Sequence, residues 1–181
     1  MCQYNFILTE KSTSKNMLLQ ILEEYDFGYD EIKNEYLCTQ IVGFEKAIMT
    51  TKGHCDCGSI LGIDQFPSSR EIDPEKERKK LRKKKWGESK INRYIEDKLK
   101  SQTRNEENRE LGNKSEEDRW LKVIKKMSAE NIKFGIFHHQ FNSSVIEEQL
   151  KFLQETKIRS GDLKIDDLRN LEDGELLRIT N

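Results

Sequence analysis

The spacing of apolar residues predicts a strand, a helix and two short strands in the first third of the chain. Residues 3–9 are mainly aromatic or branched, which is typical of a strand. A helix is predicted next, with Ser12 and Ser14 as candidate N-caps. Its apolar face repeats at helical spacing through Leu18, Ile21, Leu22 and Tyr25. Residues 36–42 and 46–51 then have the composition of two short strands.

The middle of the chain has a sparser apolar pattern. Residues 60–66 form a short apolar segment, and residues 73–100 are predicted as a helix that begins with an Asp-Pro cap. The polar residues 101–114 are predicted to link it to a second helix, for which residues 115–118 resemble a capping box. One face of that second helix carries Trp120, Val123, Ile124 and Met127. The two helices are therefore predicted to form an antiparallel hairpin.

The last part of the chain again has the pattern of a core. Residues 132–137 and 175–180 are predicted as strands, and the Asp173-Gly174 pair as a tight turn before the second of them. Residues 144–154 are predicted as a helix because they begin with a capping-box pattern.

Charge divides the chain into three parts that its net charge of −1 does not reveal. Residues 1–69 carry 5 basic and 10 acidic side chains, residues 70–127 carry 20 and 13, and residues 128–181 carry 7 and 10. The basic middle part has few apolar residues, so it contributes little to a core. We therefore expect an α+β fold with a small mixed sheet and packed helices. Its discontinuous core domain comprises residues 1–69 and 128–181, and residues 70–127 form an inserted, charged helical hairpin.

No apolar run in the sequence approaches the length of about 20 residues that a membrane-spanning helix needs. The first residues also lack the basic and then apolar layout of a signal peptide. We therefore expect a cytoplasmic protein without a membrane partner, in which the four cysteines are reduced. Reduced cysteines that lie close together in sequence are more often metal ligands or reactive thiols than disulfide partners.

The densest candidate chemistry lies between Gly53 and Gly58, where one histidine and two cysteines occupy four positions. Thiolate sulfur and imidazole nitrogen are ligands that zinc and other thiophilic ions prefer, and three or four of them must converge on one point. The flanking glycines permit the bent backbone that such convergence requires. The sequence therefore predicts a thiolate metal site, with zinc as the expected ion. Its predicted ligands are Cys55 and Cys57, with Cys2 as the first choice for a third and His54 or Cys38 to complete the set.

A purely structural interpretation of these side chains remains open. Cys2 and Cys38 are also typical of small apolar core residues, since unpaired cysteine is among the most buried residue types. His138 and His139 are further candidate ligands. Adjacent residues of a strand point to opposite faces, so at most one of the two joins a site, and a satisfied or exposed histidine is the alternative for either.

The Met-Cys start, the strand that begins Tyr4-Asn5-Phe6-Ile7 and the Cys-x-Cys-Gly turn at residues 53–58 occur together in this chain. The combination resembles small uncharacterised bacterial proteins that begin Met-Cys and carry such a turn. The resemblance covers about the first 60 residues and implies that Cys2 and the turn belong to one constellation. It implies no activity.

A thiol-dependent hydrolase or redox protein is the second functional hypothesis. If the initiator methionine is removed, Cys2 becomes a terminal nucleophile with its own amine as base, which resembles class II glutamine amidotransferases. The arginine and Asn-Gly elements of those enzymes have no clear counterpart in this sequence. Another version uses Cys55 or Cys57 as the nucleophile and His54 or His138 as the base.

Seven of the eight residues from 78 to 85 are basic, and this run supports a third hypothesis. The seven are Arg78, Lys79, Lys80, Arg82, Lys83, Lys84 and Lys85. Such a helix is a candidate surface for the phosphates of a nucleic acid or for a protein partner. A solvated helix face, neutralised by the glutamates of the same region, is the alternative.

Overall fold

The computed structural model describes residues 2–62, 73–150 and 152–181, without the side chain of Cys38. The apolar segment predicted at 60–66 therefore lies partly outside the described residues. The strands are β1 (Cys2–Thr9), β2 (Asp30–Ile32), β3 (Lys46–Met49), β4 (Phe134–Phe141), β5 (Gln154–Arg159) and β6 (Glu175–Thr180). The helices are α1 (Lys15–Glu24), α2 (Glu35–Gln40), α3 (Pro74–Lys83), α4 (Glu88–Ala129) and α5 (Ile165–Arg169).

The six strands form one mixed sheet in the order β2-β3-β1-β4-β6-β5. The β5–β6 pair is parallel and the other pairs are antiparallel. A mixed sheet with packed helices confirms the predicted α+β class. On its β3 side, β1 is paired only from Phe6 to Thr9, whereas on its β4 side it is paired from Cys2 onward. Among the described residues, no strand pairs with the β3-side edge of the first four residues of β1, and the loop that carries Cys55 and Cys57 lies along this edge.

Both faces of the sheet are covered by apolar side chains. On one face, α1, α5 and the end of α4 pack against β1, β3, β4 and β6. The buried residues there include Ile7, Leu22, Ile48, Trp120, Val123, Ile124, Met127 and Leu168. On the other face, α2 and the segment that follows β4 form a second cluster that includes Phe6, Leu8, Leu37, Ile41, Phe137, Phe141 and Leu150. Removing these side chains from water on both faces provides the main driving force for folding.

The chain separates into two compact units, residues 1–66 with 116–181 and residues 67–115. In the second unit, Asp73 caps α3 by accepting hydrogen bonds from the backbone N–H groups of Glu75 and Lys76. Leu81 of α3 packs against Ile91 and Ile95 in the first turns of α4. The predicted domain limits at 69/70 and 127/128 remain predictions about which parts fold independently.

The predicted linker at residues 101–114 is wrong, because α4 runs without interruption from Glu88 to Ala129. The predicted capping box at 115–118 accordingly lies inside a helix. Seven of the 14 residues at 101–114 are Arg, Glu, Lys or Gln, which have high helix propensity, and pairs such as Gln102 with Glu106 support the helix at four-residue spacing. The helical break lies earlier, at residues 84–87, where Lys85 has a φ of 60°. The face with Trp120 and its three apolar neighbours is confirmed as buried.

The strand predicted at 36–42 is also wrong, since α2 occupies this region. Asn34 determines the helix start by accepting a hydrogen bond from the Leu37 N–H at 3.0 Å. Its side-chain amide donates to the carbonyls of Val145 and Glu148 at 2.9 and 3.1 Å. These partners lie more than 100 positions away, so a local pattern of aromatic and branched residues could not indicate them.

The helix predicted at 144–154 is absent from the described part of this segment, which forms turns and then enters β5. Glu148 stabilises the turns by accepting hydrogen bonds from the backbone N–H groups of Asn142 and Ser143 at 2.8 and 2.7 Å. The Leu150 carbonyl accepts from Gln40 of α2 instead of from a helical N–H group. One turn is closed by a backbone hydrogen bond from the Glu148 N–H to the Ser144 carbonyl at 3.0 Å, and side-chain bonds of Glu148 and Gln40 hold the rest of the segment.

Candidate metal centre

The loop after β3 takes the place of a missing strand partner beside the start of β1. The Thr50 N–H donates to the Asn5 carbonyl at 3.0 Å, and the Asp56 N–H donates to the Gln3 carbonyl at 2.8 Å. The Gln3 N–H in turn lies 3.4 Å from the Cys57 sulfur and donates to it. These bonds hold the Cys-x-Cys turn against the uncovered edge of β1 and bring it close to Cys2.

The Asp56 side chain fastens the same turn. Its Oδ2 accepts from the Asn5 backbone N–H at 2.8 Å and from the Thr51 hydroxyl at 2.5 Å. Burial raises the pKa of this carboxyl above its ordinary value, with a smaller contribution from the negative charge of Glu116, although the two donors favour the charged form. Asp56 is therefore a structural anchor between the two cysteines, and both lone-pair directions of Oδ2 are used within the protein.

Cys2, Cys55 and Cys57 come together at this edge, with their three sulfur atoms within 4.8 Å of one another. Cys2 and Cys55 are half-buried and Cys57 is exposed. A tetrahedral zinc ion with Zn–S bonds of about 2.3 Å needs sulfur atoms about 3.8 Å apart. Modest rotations of the three side chains would supply that spacing, so these cysteines lie close enough to hold a metal ion.

Hydrogen bonding makes the two thiols of the turn different. The backbone N–H of Cys57 lowers the pKa of the Cys55 thiol, with further support from the side chains of Cys57 and Cys2. The hydrogen bond from the Gln3 N–H likewise favours a lower pKa for the Cys57 thiol. The hydrogen bond to Cys55, burial and the neighbouring Cys55 and Cys2 outweigh it and raise the pKa of the Cys57 thiol. Cys55 is therefore the first of the pair to become a thiolate.

His54 does not join this cluster, although it precedes Cys55 in the sequence. Its side chain is exposed, and its backbone carbonyl accepts a hydrogen bond from the Tyr4 hydroxyl at 2.9 Å. Burial raises the pKa of that hydroxyl, and the three cysteines and Asp56 add to the effect. The backbone of His54 thus helps to fix the turn. Cys38, the other predicted ligand, lies in α2.

No protein-family model, curated protein or solved structure matches this chain. The resemblance to small bacterial proteins with a Met-Cys start stays a prediction.

His138 is a buried structural histidine. Gln3 Nε2 donates to its Nδ1 at 2.9 Å, and its Nε2 donates to the Leu171 carbonyl at 2.7 Å. The backbone at Gly62 lies so close to His138 that a Cβ atom at Gly62 would be 2.5 Å from the imidazole ring. Both ring nitrogens are engaged, so His138 is neither a metal ligand nor a general base for the cysteines. His139 points to the other face, where its Nδ1 lies 3.1 Å from the Asp173 carboxylate.

We expect His138 to make the protein less stable in mild acid. Burial lowers its pKa below the ordinary value of about 6.5, even though the Leu171 carbonyl and Asp173 favour the charged ring. Below that ordinary value the unfolded chain binds a proton that the folded protein excludes. The free energy of unfolding should therefore fall from about pH 7 to pH 5, by up to about 1.4 kcal/mol per pH unit from this group.

Urea unfolding at several pH values measures this slope. His138→Gln should reduce it, and His54→Gln, which changes an exposed histidine, should leave it unchanged. Equal slopes in the two variants would show that another group causes the acid sensitivity.

Asp56 offers a second test of how the turn is held. Asp56→Ala should lower the free energy of unfolding by about 1–3 kcal/mol, because it leaves the Asn5 N–H and the Thr51 hydroxyl without their acceptor. It should also weaken metal binding about tenfold, as loss of a group that orients the ligands commonly does. Asp56→Asn keeps one oxygen in the position of Oδ2 and should cost no more than about 1 kcal/mol. Chemical denaturation and metal titration of both variants check this, and equal losses would contradict an anchoring role.

A polar cavity of 290 Å³ adjoins the cysteine turn. Its lining residues include Cys55 and Cys57 together with Asn5, Asp26, Glu116 and Arg119. The last four carry no local sequence signal of a site, because they come from β1, from the turn after α1 and from α4. Glu116 accepts from Ser59 at 2.5 Å and from the Trp120 indole at 3.3 Å, so the core of the first unit holds it in place.

The seven predicted binding residues of the basic run all lie in or just after α3. Arg82 forms an ion pair with Glu88 at 2.7 Å, and longer contacts join Arg78 to Glu75 and Lys80 to Glu77. Within the described part of the chain, no ion pair involves Lys79, Lys83, Lys84 or Lys85. A nucleic-acid or protein partner for this run stays a prediction.

No helix in residues 2–62, 73–150 and 152–181 combines the length and apolar content needed to cross a membrane.

Proposed function

We propose that this protein binds one thiophilic metal ion through Cys2, Cys55 and Cys57, with zinc as the expected ion. The observation that carries the proposal is the convergence of three sulfur atoms within 4.8 Å from two distant parts of the chain. Thiolate sulfur selects zinc, copper(I) and iron–sulfur clusters over hard ions such as magnesium or calcium. The hydrogen bonds that Gln3 and Cys57 donate to sulfur also favour the charged ligands.

Three protein ligands leave a tetrahedral ion with one position for an outside ligand. Among the described side chains, no fourth Cys, His, Asp or Glu group lies within the same distance of all three sulfurs. Structural zinc sites usually have four protein ligands, whereas sites that act on a bound molecule usually have three. The geometry therefore supports a centre that exchanges or activates a ligand.

Anaerobic titration of the reduced protein with Co²⁺ and Zn²⁺ tests the proposal. We expect one ion per chain, visible as a cobalt–thiolate charge-transfer band and as a single added mass in native mass spectrometry. Zinc should displace cobalt at the same stoichiometry. Failure to bind either ion while all four thiols titrate as reduced would overturn the proposal.

A reactive dithiol is a second candidate function, and the proximity of the three sulfurs also favours it. A Cys55 thiolate that attacks a target disulfide forms a mixed disulfide and releases one target thiolate. One of the two neighbouring thiols, within 4.8 Å, can then attack Cys55, which forms a disulfide within the protein and releases the second target thiolate. In the metal-free protein, limiting iodoacetamide should then label Cys55 before the other cysteines, as read by peptide mass spectrometry. Uniform labelling would count against this candidate.

A further inference from the structure

The cavity beside the cysteines has the size of a site for a small ligand. Its volume is 290 Å³, at the lower end of the range of about 300–1,000 Å³ for small-molecule pockets. Cys55 and Cys57 both contribute to its wall, so a molecule in the cavity lies next to the proposed metal centre. An occupant the size of a single amino acid fits this space better than a peptide or a nucleotide.

One residue in the wall of the cavity has a buried hydrogen-bond acceptor without a donor. Asn5 is only 2% exposed, and its side-chain amide donates to the Ser59 hydroxyl at 2.9 Å. Its Oδ1 atom is buried but accepts no hydrogen bond from any described residue. A buried acceptor without a partner is destabilising, so a donor that reaches this atom from the cavity would stabilise the protein. An ammonium group fits best, because the Glu116 carboxylate lies on the same side, bonded to the same Ser59 hydroxyl at 2.5 Å.

Another wall carries an excess of positive charge. Asp26 forms ion pairs with both Lys52 and Arg119, so two cations share one carboxylate. The Arg119 Nη1 contacts Asp26 Oδ2 at 3.2 Å, whereas its Nε is buried and has no hydrogen-bond acceptor among the described residues. Arginine binds carboxylates through parallel N–H groups, and this one has a donor still available. The wall therefore suits the carboxylate of a ligand.

We propose that the cavity binds a small thiol that carries both an amino and a carboxylate group, such as free cysteine. This inference rests on the proposed metal site, because the ligand sulfur takes the fourth position on the ion. The thiol gives its proton to solvent when its sulfur binds, and a water molecule leaves the ion. The amino group faces Asn5 Oδ1 and Glu116, and the carboxylate faces Lys52 and Arg119. The protein thereby recognises the two ends of the ligand while the three cysteines hold the ion.

The test uses the full-length protein loaded with one Co²⁺ ion without oxygen. The first probe is L-cysteine, and each of the other three lacks one of its functional groups. Cysteamine lacks the carboxylate, 3-mercaptopropionate lacks the amine, and L-serine lacks the thiol. We expect L-cysteine to change the cobalt spectrum and to give a ternary mass in native mass spectrometry. Its apparent affinity should exceed that of cysteamine and of 3-mercaptopropionate by about tenfold each, the value of one charge-assisted hydrogen bond. L-Serine should leave the spectrum unchanged.

Arg119→Gln should lower the affinity for L-cysteine about tenfold while cobalt stoichiometry and cysteamine affinity stay the same. Arg109→Gln, the same change at an exposed arginine that does not line the cavity, is the control. Equal affinities for the three thiols, or removal of cobalt by L-cysteine without a ternary complex, would overturn the cavity proposal and leave the metal site intact. A protein that binds no cobalt would overturn both proposals.

Discussion

Replacing Cys2, Cys55 or Cys57 by serine, one at a time, should abolish stoichiometric metal binding. Each change removes one of three sulfur ligands and substitutes a hydroxyl that thiophilic ions bind poorly. We expect the dissociation constant for Zn²⁺ to rise by more than about 100-fold, beyond the losses that follow mutation of groups around metal ligands. Competition with a chromophoric chelator measures the constant. Native mass spectrometry then shows whether any ion remains.

The strongest test is Cys2→Ser, since Cys2 belongs to β1 and not to the turn. Retention of one tightly bound ion in that variant would show that the turn binds the ion without the Cys2 sulfur of β1. His54→Asn is the control, because it changes a neighbouring side chain that lies outside the sulfur cluster and should leave zinc affinity unaltered. Cys38→Ser answers a separate question. A loss of affinity there would identify Cys38 as a fourth ligand.

Trp120→Ala should have the largest effect on stability. Trp120 is fully buried, packs on Phe27 with ring centroids 4.6 Å apart, and joins α4 to the sheet core of the first unit. Removing so large a side chain typically costs about 3–5 kcal/mol, because the lost burial is joined by an unfilled cavity. Its indole also donates to Glu116, so the polar wall beside the cysteines should loosen as well.

Urea unfolding followed by circular dichroism measures the loss, and Trp86→Ala provides a matched control. Trp86 is only half-buried, lies in the second unit and contacts Tyr94 and Lys90. Its removal should cost about 1 kcal/mol, in the range of ordinary substitutions. If both variants lost the same stability, the end of α4 would not be an essential part of the first unit's core.

Local patterns predicted the elements whose cause is local. The strands at 3–9, 46–51, 132–137 and 175–180 are each found within a few residues of their predicted limits. The Ser14 cap of α1 and the turn before β6 are also present. In contrast, α2 depends on side-chain bonds from Asn34 to carbonyls 111 and 114 positions away. The continuous α4 depends on helix propensity and four-residue pairs along a segment that has no apolar face.

The cysteine site likewise was predictable only where its signal is local in the sequence. Two thiols between glycines indicate ligand chemistry directly, and the Met-Cys start of the chain indicates Cys2 as their partner. Asn5, Glu116 and Arg119 carry no such signal, because each is an ordinary polar residue of its own element. Ser59 and Glu116 are 57 positions apart and Asp26 and Arg119 are 93 positions apart, so only the folded chain brings them together.

If Cys2, Cys55 and Cys57 bind a metal ion as proposed, their position on the edge of β1 would couple metal supply to folding. Cys57 is held to β1 by a hydrogen bond that spans 54 positions, and the Cys2 sulfur reaches the turn only when the loop after β3 is bonded to this edge of β1. Among the four cysteines of the unfolded chain, only Cys55 and Cys57 are close in sequence, so an ion held by all three sulfurs would bind the native state more tightly. By mass action, an ion at 100 times its dissociation constant adds about 2.7 kcal/mol to the free energy of unfolding. The concentration of free metal in the cell would then regulate how much of this protein is folded, and the protein's abundance would report that concentration.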